Sequence, residues 1–221
     1  MEEYIIREAL KKDIPFLADT IIASEKGRSN ILSYSTLFNI SESKAKELII
    51  TMLEEEVDGC ELSLSSFLVA DYNGEIVAAS GAWIEGFDGS MPSNILKSNL
   101  ILNTFEKESI EFFKTKSHII KDIVAEREQL TLQLEYMYIS SKHQGKGLDT
   151  AFIKKSEENA LAKYPALKKA QVQLFKNNIF AIIVLRKKKF NVVKSYKSNN
   201  KEIFNYIPFD EKLLMEKTLE N

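Results

Sequence analysis

Apolar and polar positions alternate with two periods along this chain. Short runs with the period of a strand stand at 4–7, 67–71, 75–83, 132–139, 170–175, 192–196 and 202–206, most of them rich in Ile, Val, Leu and Tyr. Between them, apolar residues recur at three- and four-residue spacing, the mark of a helix with one buried stripe. Phe16, Leu17, Thr20 and Ile21 form such a stripe behind Asp13, an expected N-cap. Ala45, Leu48, Ile49, Met52 and Leu53 form another over 41–56, where Lys44 stands in place of the Glu or Gln that a capping box from Ser41 requires. A third runs from Leu148 through Ala151, Phe152, Ser156, Ala160 and Ala162, and a fourth spans 178–190. Asn73-Gly74, set between two apolar runs, predicts a tight hairpin, because that turn needs positive φ at both central residues.

The order strand, two helices, hairpin, strand, helix, strand, helix, hairpin predicts one α/β domain over residues 1–221. Its central sheet is expected to be mixed and largely antiparallel, with helices on both faces. Residues 86–121 interrupt the scheme as an insertion. Gly86, Gly89 and Pro92 mark loop, and 95–102 and 109–113 have helical spacing. Ile95, Leu96, Leu100, Ile101, Phe105, Phe112 and Phe113 give the insertion three uses: capping the core, walling an acceptor pocket, or a homodimer contact.

Composition narrows the function. The 221 residues carry a net charge of −2, with 28% charged and 44% hydrophobic, so no broad basic field is present and nucleic acid is disfavoured as a partner. The run from Arg186 to Lys189 completes a helix C-terminus, where cations are favoured. The single cysteine, Cys60, has no internal partner and reads as a small, partly buried hydrophobe, in keeping with a reducing cytoplasm. No apolar run approaches the roughly 20 residues that span a bilayer, so no membrane association is expected. Glu54-Glu55-Glu56 reads as a solvated helix end, because neighbouring carboxylates on a helix point different ways. No metal site is expected.

The stretch 130–162 holds the most specific chemistry. After the strand over 132–139, Gly145 and Gly147 permit a turn that side chains would hinder, and a helix begins near Leu148. Such a turn aims free backbone N–H groups and the positive end of the helix dipole at one point, a place suited to phosphate. The Walker spacing and hydroxyl are absent from Gln144-Gly145-Lys146-Gly147, and Thr150 replaces the third glycine of a dinucleotide fingerprint. The run from Ile139 to Leu148, with Gln144-x-x-Gly147 at its heart, resembles the acetyl-CoA signature of the GNAT N-acetyltransferase superfamily. The resemblance continues through Asn178-x-x-Ala181-x-x-Val184-Leu185 to Phe190, and so covers about 130–190 by motif. Asp149, Leu185 and Lys189 depart from it, standing where the family commonly has Gly or Ala, Tyr, and Gly.

That resemblance implies the GNAT acyl-CoA N-acyltransferase fold, with acetyl-CoA as cosubstrate and a small-molecule amine as acceptor. By the same resemblance, Met137, Tyr138 and Ile139 would pair with the pantetheine amides. Gln144, Gly145, Lys146, Gly147, Leu148 and Asp149 would hold the pyrophosphate through backbone amides, and Asn178 would contact the pantetheine arm. Glu135, a lone carboxylate inside an apolar strand, is the candidate base, since burial raises a carboxyl pKa. A glutamate at a strand edge or paired with a neighbouring lysine, or a water chain in place of a base, fits the same residues. With Leu185 in place of a helix tyrosine, Tyr196 is the candidate proton donor, beside Tyr136 and Tyr138. Arg28 is a candidate substrate contact, and His143 reads as a polar residue beside the loop. An acetyl-CoA-binding module with little or no turnover, and a protein N-acetyltransferase, are the alternative readings.

Overall fold

A computed structural model describes residues 4–219. Seven strands form one sheet in the order β1-β2-β3-β4-β5-β7-β6. In chain order, strand β1 (Ile5–Glu8) leads through a 3-10 turn into α1 (Ile14–Lys26), a single turn α2 (Ser33–Thr36) and α3 (Glu42–Glu54). The hairpin β2 (Phe67–Tyr72) and β3 (Glu75–Ile84) follows, with Asn73 at φ 54 and Gly74 at φ 87 as the turn requires. Helices α4 (Ser93–Thr104) and α5 (Lys107–Ile120) make up the insertion. The second half runs β4 (Leu132–Ile139), α6 (Leu148–Lys163), β5 (Lys169–Phe175), α7 (Ile179–Lys187), β6 (Asn191–Lys197) and β7 (Glu211–Thr218). Every pairing is antiparallel except β4 with β5, the mixed, largely antiparallel sheet expected from the sequence. None of the helices is long and apolar enough to cross a membrane, among the described residues.

Two larger cores lie on opposite faces of the sheet, beside a smaller cluster around Leu148 and Phe152. One collects Leu17, Ile21, Ile49, Met52, Leu53, Phe67 and Val69 with α1 and α3, and the insertion closes over it: Phe105 and Phe113 pack on Phe38 at ring distances of 4.5 and 4.8 Å. The other gathers Leu132, Leu134, Ile153, Leu167, Leu185, Phe190 and Met215 beneath α6 and α7. Leu185, the residue in the place of the helix tyrosine, is thus a buried packing contact.

Two expectations fail. Residues 202–206 are not a strand but lie in a 3-10 turn over Lys201–Asn205. The Asn200 side chain accepts from the Glu202 amide at 3.0 Å, and Ile203 and Ile207, four apart, are both buried in the first core. A local cap and a helical apolar spacing thus outcompete strand propensity. The closing partner of β6 is β7, which inserts between β5 and β6. Asp13 makes no cap bond to α1, because its carboxylate is claimed elsewhere. It takes the Leu10 amide at 2.8 Å and the Arg7 guanidinium at 2.6 Å. Burial works against that charge, and the bonds from Arg7 and Leu10 overcome it and lower the Asp13 pKa.

Candidate active site

The site begins with a pairing that stops. Strands β4 and β5 are in register only at Leu132 opposite Ala170, Gln133 opposite Gln171 and Leu134 opposite Val172. Beyond Leu134 the two strands part. On that side, the edge of β4 over 137–139 has no strand against it.

A bulge in β4 falls at the same place. Ala79 of β3 pairs with Tyr138 and Gly81 with Glu135, so Tyr136 and Met137 stand opposite Ser80 alone. Tyr136 takes φ 55, a costly conformation for a bulky residue. Gly81 makes room for it: a Cβ there would lie 3.1 Å from the Glu135 carbonyl oxygen and 3.3 Å from the Phe67 ring. The bulge resets which face each side chain joins. Leu132 and Leu134 belong to the core under α6 and α7, yet Tyr136 is buried in the core under α1 and α3. Regular alternation would have sent Tyr136 the other way.

The parted strands open a cleft of about 410 Å³, lined by Ala23, Ser24, Met137, Tyr138, Asn178 and Phe180 among others. Its α1 wall is fixed by the Ser24 hydroxyl, which donates to the Met137 carbonyl at 3.4 Å, and by Phe16, 6.1 Å from the Tyr138 ring. Asn178 caps α7 through its Oδ1, which accepts from the Ala181 amide at 3.2 Å, so its amide nitrogen is the atom left for a ligand. Of the residues expected to hold cofactor, Met137, Tyr138 and Asn178 meet in this cleft, and Arg28 joins them.

The remaining expected cofactor residues sit at and past the end of β4. Gln144 donates to the Ile139 carbonyl at 3.1 Å, tying the loop to the strand. Gly145 and Gly147 have φ 73 and 80, and a Cβ on either would meet nothing within 4 Å. The space before α6 is therefore open to a ligand. Leu148 is buried with Leu68, Ala70, Val77 and Phe152, so its side chain anchors the first turn and only its backbone faces outward. Asp149 lies in that first turn, and Lys146 is exposed. The His143 Nδ1 and the Tyr4 hydroxyl share a hydrogen bond at 3.0 Å, a structural contact beside the loop.

Glu135 does not line that cleft; its carboxylate enters a cluster that the sequence did not announce. Its carboxylate takes a bond from Arg127 at 2.7 Å, and the same Arg127 nitrogen lies 3.2 Å from Glu61. Lys97 of α4 reaches Glu61 at 3.1 Å. Burial, helped by the nearby Glu61 charge, raises the Glu135 pKa against the pull of Arg127. Burial also works against charge on Glu61, but Lys97 and Arg127 bring its pKa down to about 2. Burial pushes Tyr34 up to about 12 and Cys60 up to about 11, which leaves Cys60 a packing residue and not a nucleophile.

Tyr196 is elsewhere again. It lines a second cleft of about 300 Å³ with Glu126, Arg127, Glu128, Gln171, Lys194 and Glu216. Arg127 thus has one end at this cleft and the other on Glu135. Arg127, Glu61 and Lys97 were not among the residues expected from the sequence. Glu61 carries one local signal, a charge set between apolar neighbours in Cys60-Glu61-Leu62, while Arg127 stands between Glu126 and Glu128 and carries none.

No protein-family model and no curated protein sequence matches the chain. Many solved structures do share its shape. An N-acetyltransferase from Staphylococcus aureus Mu50 superposes with a TM-score of 0.65 at 13% identity, covering 96% of this chain and 100% of that one. An acetyltransferase of the GNAT family from Streptococcus pneumoniae gives 0.52 at 17% identity, covering 99% and 100%. The Salmonella typhimurium protein yncA, solved with its cofactor acetyl-CoA, gives 0.57 at 13% identity, covering 99% and 95%.

Proposed function

We propose that this chain, whose fold is that of the GNAT N-acetyltransferases, moves an acetyl group from acetyl-CoA to the amine of a small molecule. One observation carries the reading: β4 and β5 part after Leu134, at a bulge that turns Glu135 and Tyr136 to one face while Met137 and Tyr138 line the cleft. The residues fit the cosubstrate. The edge of 137–139, which has no strand against it, offers backbone groups to the pantetheine amides, and Asn178 offers a side-chain amide. The open turn at Gly145 and Gly147, followed by the N-terminus of α6, offers amides and a positive dipole to the pyrophosphate.

When bound, acetyl-CoA supplies an activated thioester. The chain then has four tasks: to orient the amine, to take its proton, to return a proton to the sulfur, and to exclude water. In this reading Glu135 takes the proton: burial keeps its pKa above that of an ordinary carboxylate, and the Arg127 that it binds lines the second cleft. Tyr138 lines the cofactor's cleft, and in this reading its hydroxyl returns a proton to the sulfur. Tyr196 lines the cleft beside Arg127, and in this reading it contacts the acceptor and supplies the second hydroxyl. The insertion covers the face on which Glu135 lies, which favours a small acceptor over a protein chain.

Calorimetry with acetyl-CoA and a thiol-release assay over a panel of amines test the two halves separately. Gly147→Val should abolish binding, since it forces a β-branched residue to φ 80 and fills the open turn. Equal affinity in wild type and Gly147→Val would overturn the cofactor assignment. Binding without thiol release on any amine would make the protein an acetyl-CoA-binding module instead.

A further inference from the structure

The insertion does more than cover the core. Ser93 and Lys97 are one helical turn apart at the start of α4, so they point to the same side. Ser93 is fully buried, and its amide donates to the Glu85 carboxylate at 2.8 Å, whose other oxygen takes the Trp83 indole N–H at 3.0 Å. The end of β3 thereby fixes the first turn of α4. The Ser93 hydroxyl accepts from Arg127 Nη1 at 3.0 Å, and the Arg127 guanidinium lies 5.0 Å over the Trp83 ring. Lys97 then places its ammonium 3.1 Å from Glu61, whose side chain is 2% exposed. The charges alternate in a line: Lys97, Glu61, Arg127, Glu135.

We propose that Lys97, Glu61 and Arg127 are positioning residues, an alternating chain of charge through which the insertion holds the Glu135 carboxylate in place and tunes its proton uptake. The proposal rests on Glu135 as the base of the acetyl transfer. Its mechanism is competition for one cation. Arg127 Nη2 lies within reach of both Glu61 and Glu135, at 3.2 and 2.7 Å. Lys97 is the other cation on Glu61, and it leaves Arg127 turned toward Glu135. Glu61 Oε2 and Arg127 Nε are buried with no hydrogen-bond partner, so each has spare capacity for the other if Lys97 is lost. The charged groups acting on Glu135 itself are Arg127, Glu61 and Lys97; Lys97 pairs with Glu61, has Glu25 as a further negative charge nearby, and lies 5.5 Å over the Tyr34 ring. Glu85 is occupied by Trp83 and Ser93.

Removing either end of the competition should move Glu135 in opposite directions. Lys97→Met frees Glu61 to draw Arg127 away, so the Glu135 carboxyl should hold its proton to higher pH. Glu61→Gln removes a neighbouring negative charge and leaves Arg127 to Glu135 alone, so the carboxyl should give up its proton at lower pH. Lys97→Arg keeps the charge and should leave the titration where it stands. The readout is the carboxyl resonance of Glu135 in carboxyl-labelled protein, identified by its loss in Glu135→Gln, with circular dichroism to show that each variant is folded. The acid limb of kcat/KM should move with the resonance. An unchanged titration in both Lys97→Met and Glu61→Gln, or a shift of both in the same direction, would overturn the proposal. If one of these two does not fold, the direction in the other decides. Opposed shifts of the resonance without turnover in any variant would uphold the charge chain and reject the acetyl-transfer reading.

Discussion

The loop before α6 and the charge cluster around Arg127 are both polar, both attached to β4, and built on opposite principles. The loop over 144–149 is open. Its chemistry is backbone amides, two glycines at positive φ and one exposed helix end, and its deep contact is the Leu148 side chain. The cluster is closed. Glu61 is 2% exposed, Arg127 and Glu135 are each 12% exposed, and the charges come from residues 61, 97, 127 and 135. In the open region, water and salt screen each charge, so changes act on ligand affinity and hardly on the fold. In the closed region each charge depends on its partner, so changes act on stability and proton uptake together.

Breaking the closed region should give the largest effect. Arg127→Met leaves Glu61 with Lys97 only and Glu135 with no cation within bonding distance among the described residues. Removing one partner of a buried ion pair costs about 3–5 kcal/mol. Chemical denaturation should show a loss of that size at neutral pH, shrinking in acid as Glu135 becomes protonated. A loss below about 1 kcal/mol, the range of exposed pairs, would place the cluster with the surface.

Acid sharpens the contrast. The folded pKa of Glu61 is about 2, below the ordinary 4.5, so its stabilising contribution is complete above about 4.5 and is lost as pH falls toward about 2. Glu135 has the opposite sign: its raised pKa gives a contribution present at low pH and lost as pH rises through the folded value. Glu61→Gln should therefore lower stability at neutral pH and flatten its decline between about 4.5 and about 2. An equally steep acid decline in Glu61→Gln would assign that decline to other carboxylates.

The open region should respond least. Asp149 sits in the first turn of α6, where a carboxylate complements the helix dipole by about 0.3–1 kcal/mol at an exposed site. The same charge opposes a pyrophosphate at that helix end. Asp149→Gly should cost stability of that order and leave acetyl-CoA affinity equal or modestly tighter, the gain shrinking as salt rises. A marked loss of affinity would mean that the carboxylate holds the loop.

Features that the backbone decides locally were readable from the chain alone. The Asn73-Gly74 hairpin, the glycine turn before α6, the apolar stripes of α1, α3 and α6, and the run from Asn178 to Phe190 depend on residues within one or two turns of each other. Their propensities and spacings carry that information directly. Glu135 was legible for a related reason: a lone carboxylate in an apolar strand must find a partner or a proton. Its partner was not legible, because Arg127, Glu61 and Lys97 are ordinary charges until folding brings residues 61, 97, 127 and 135 together. The bulge that turns Tyr136 inward was equally hidden, since it depends on Gly81 of the neighbouring strand leaving room. The place of β7 between β5 and β6 was another such case: pairing across the sheet is chosen by burial on both faces, and no local period records which strand will win it. Local torsions and periodicity set the elements, while the charge cluster and the parted strands came from long-range packing, where the environment of each group is made by residues far from it in sequence.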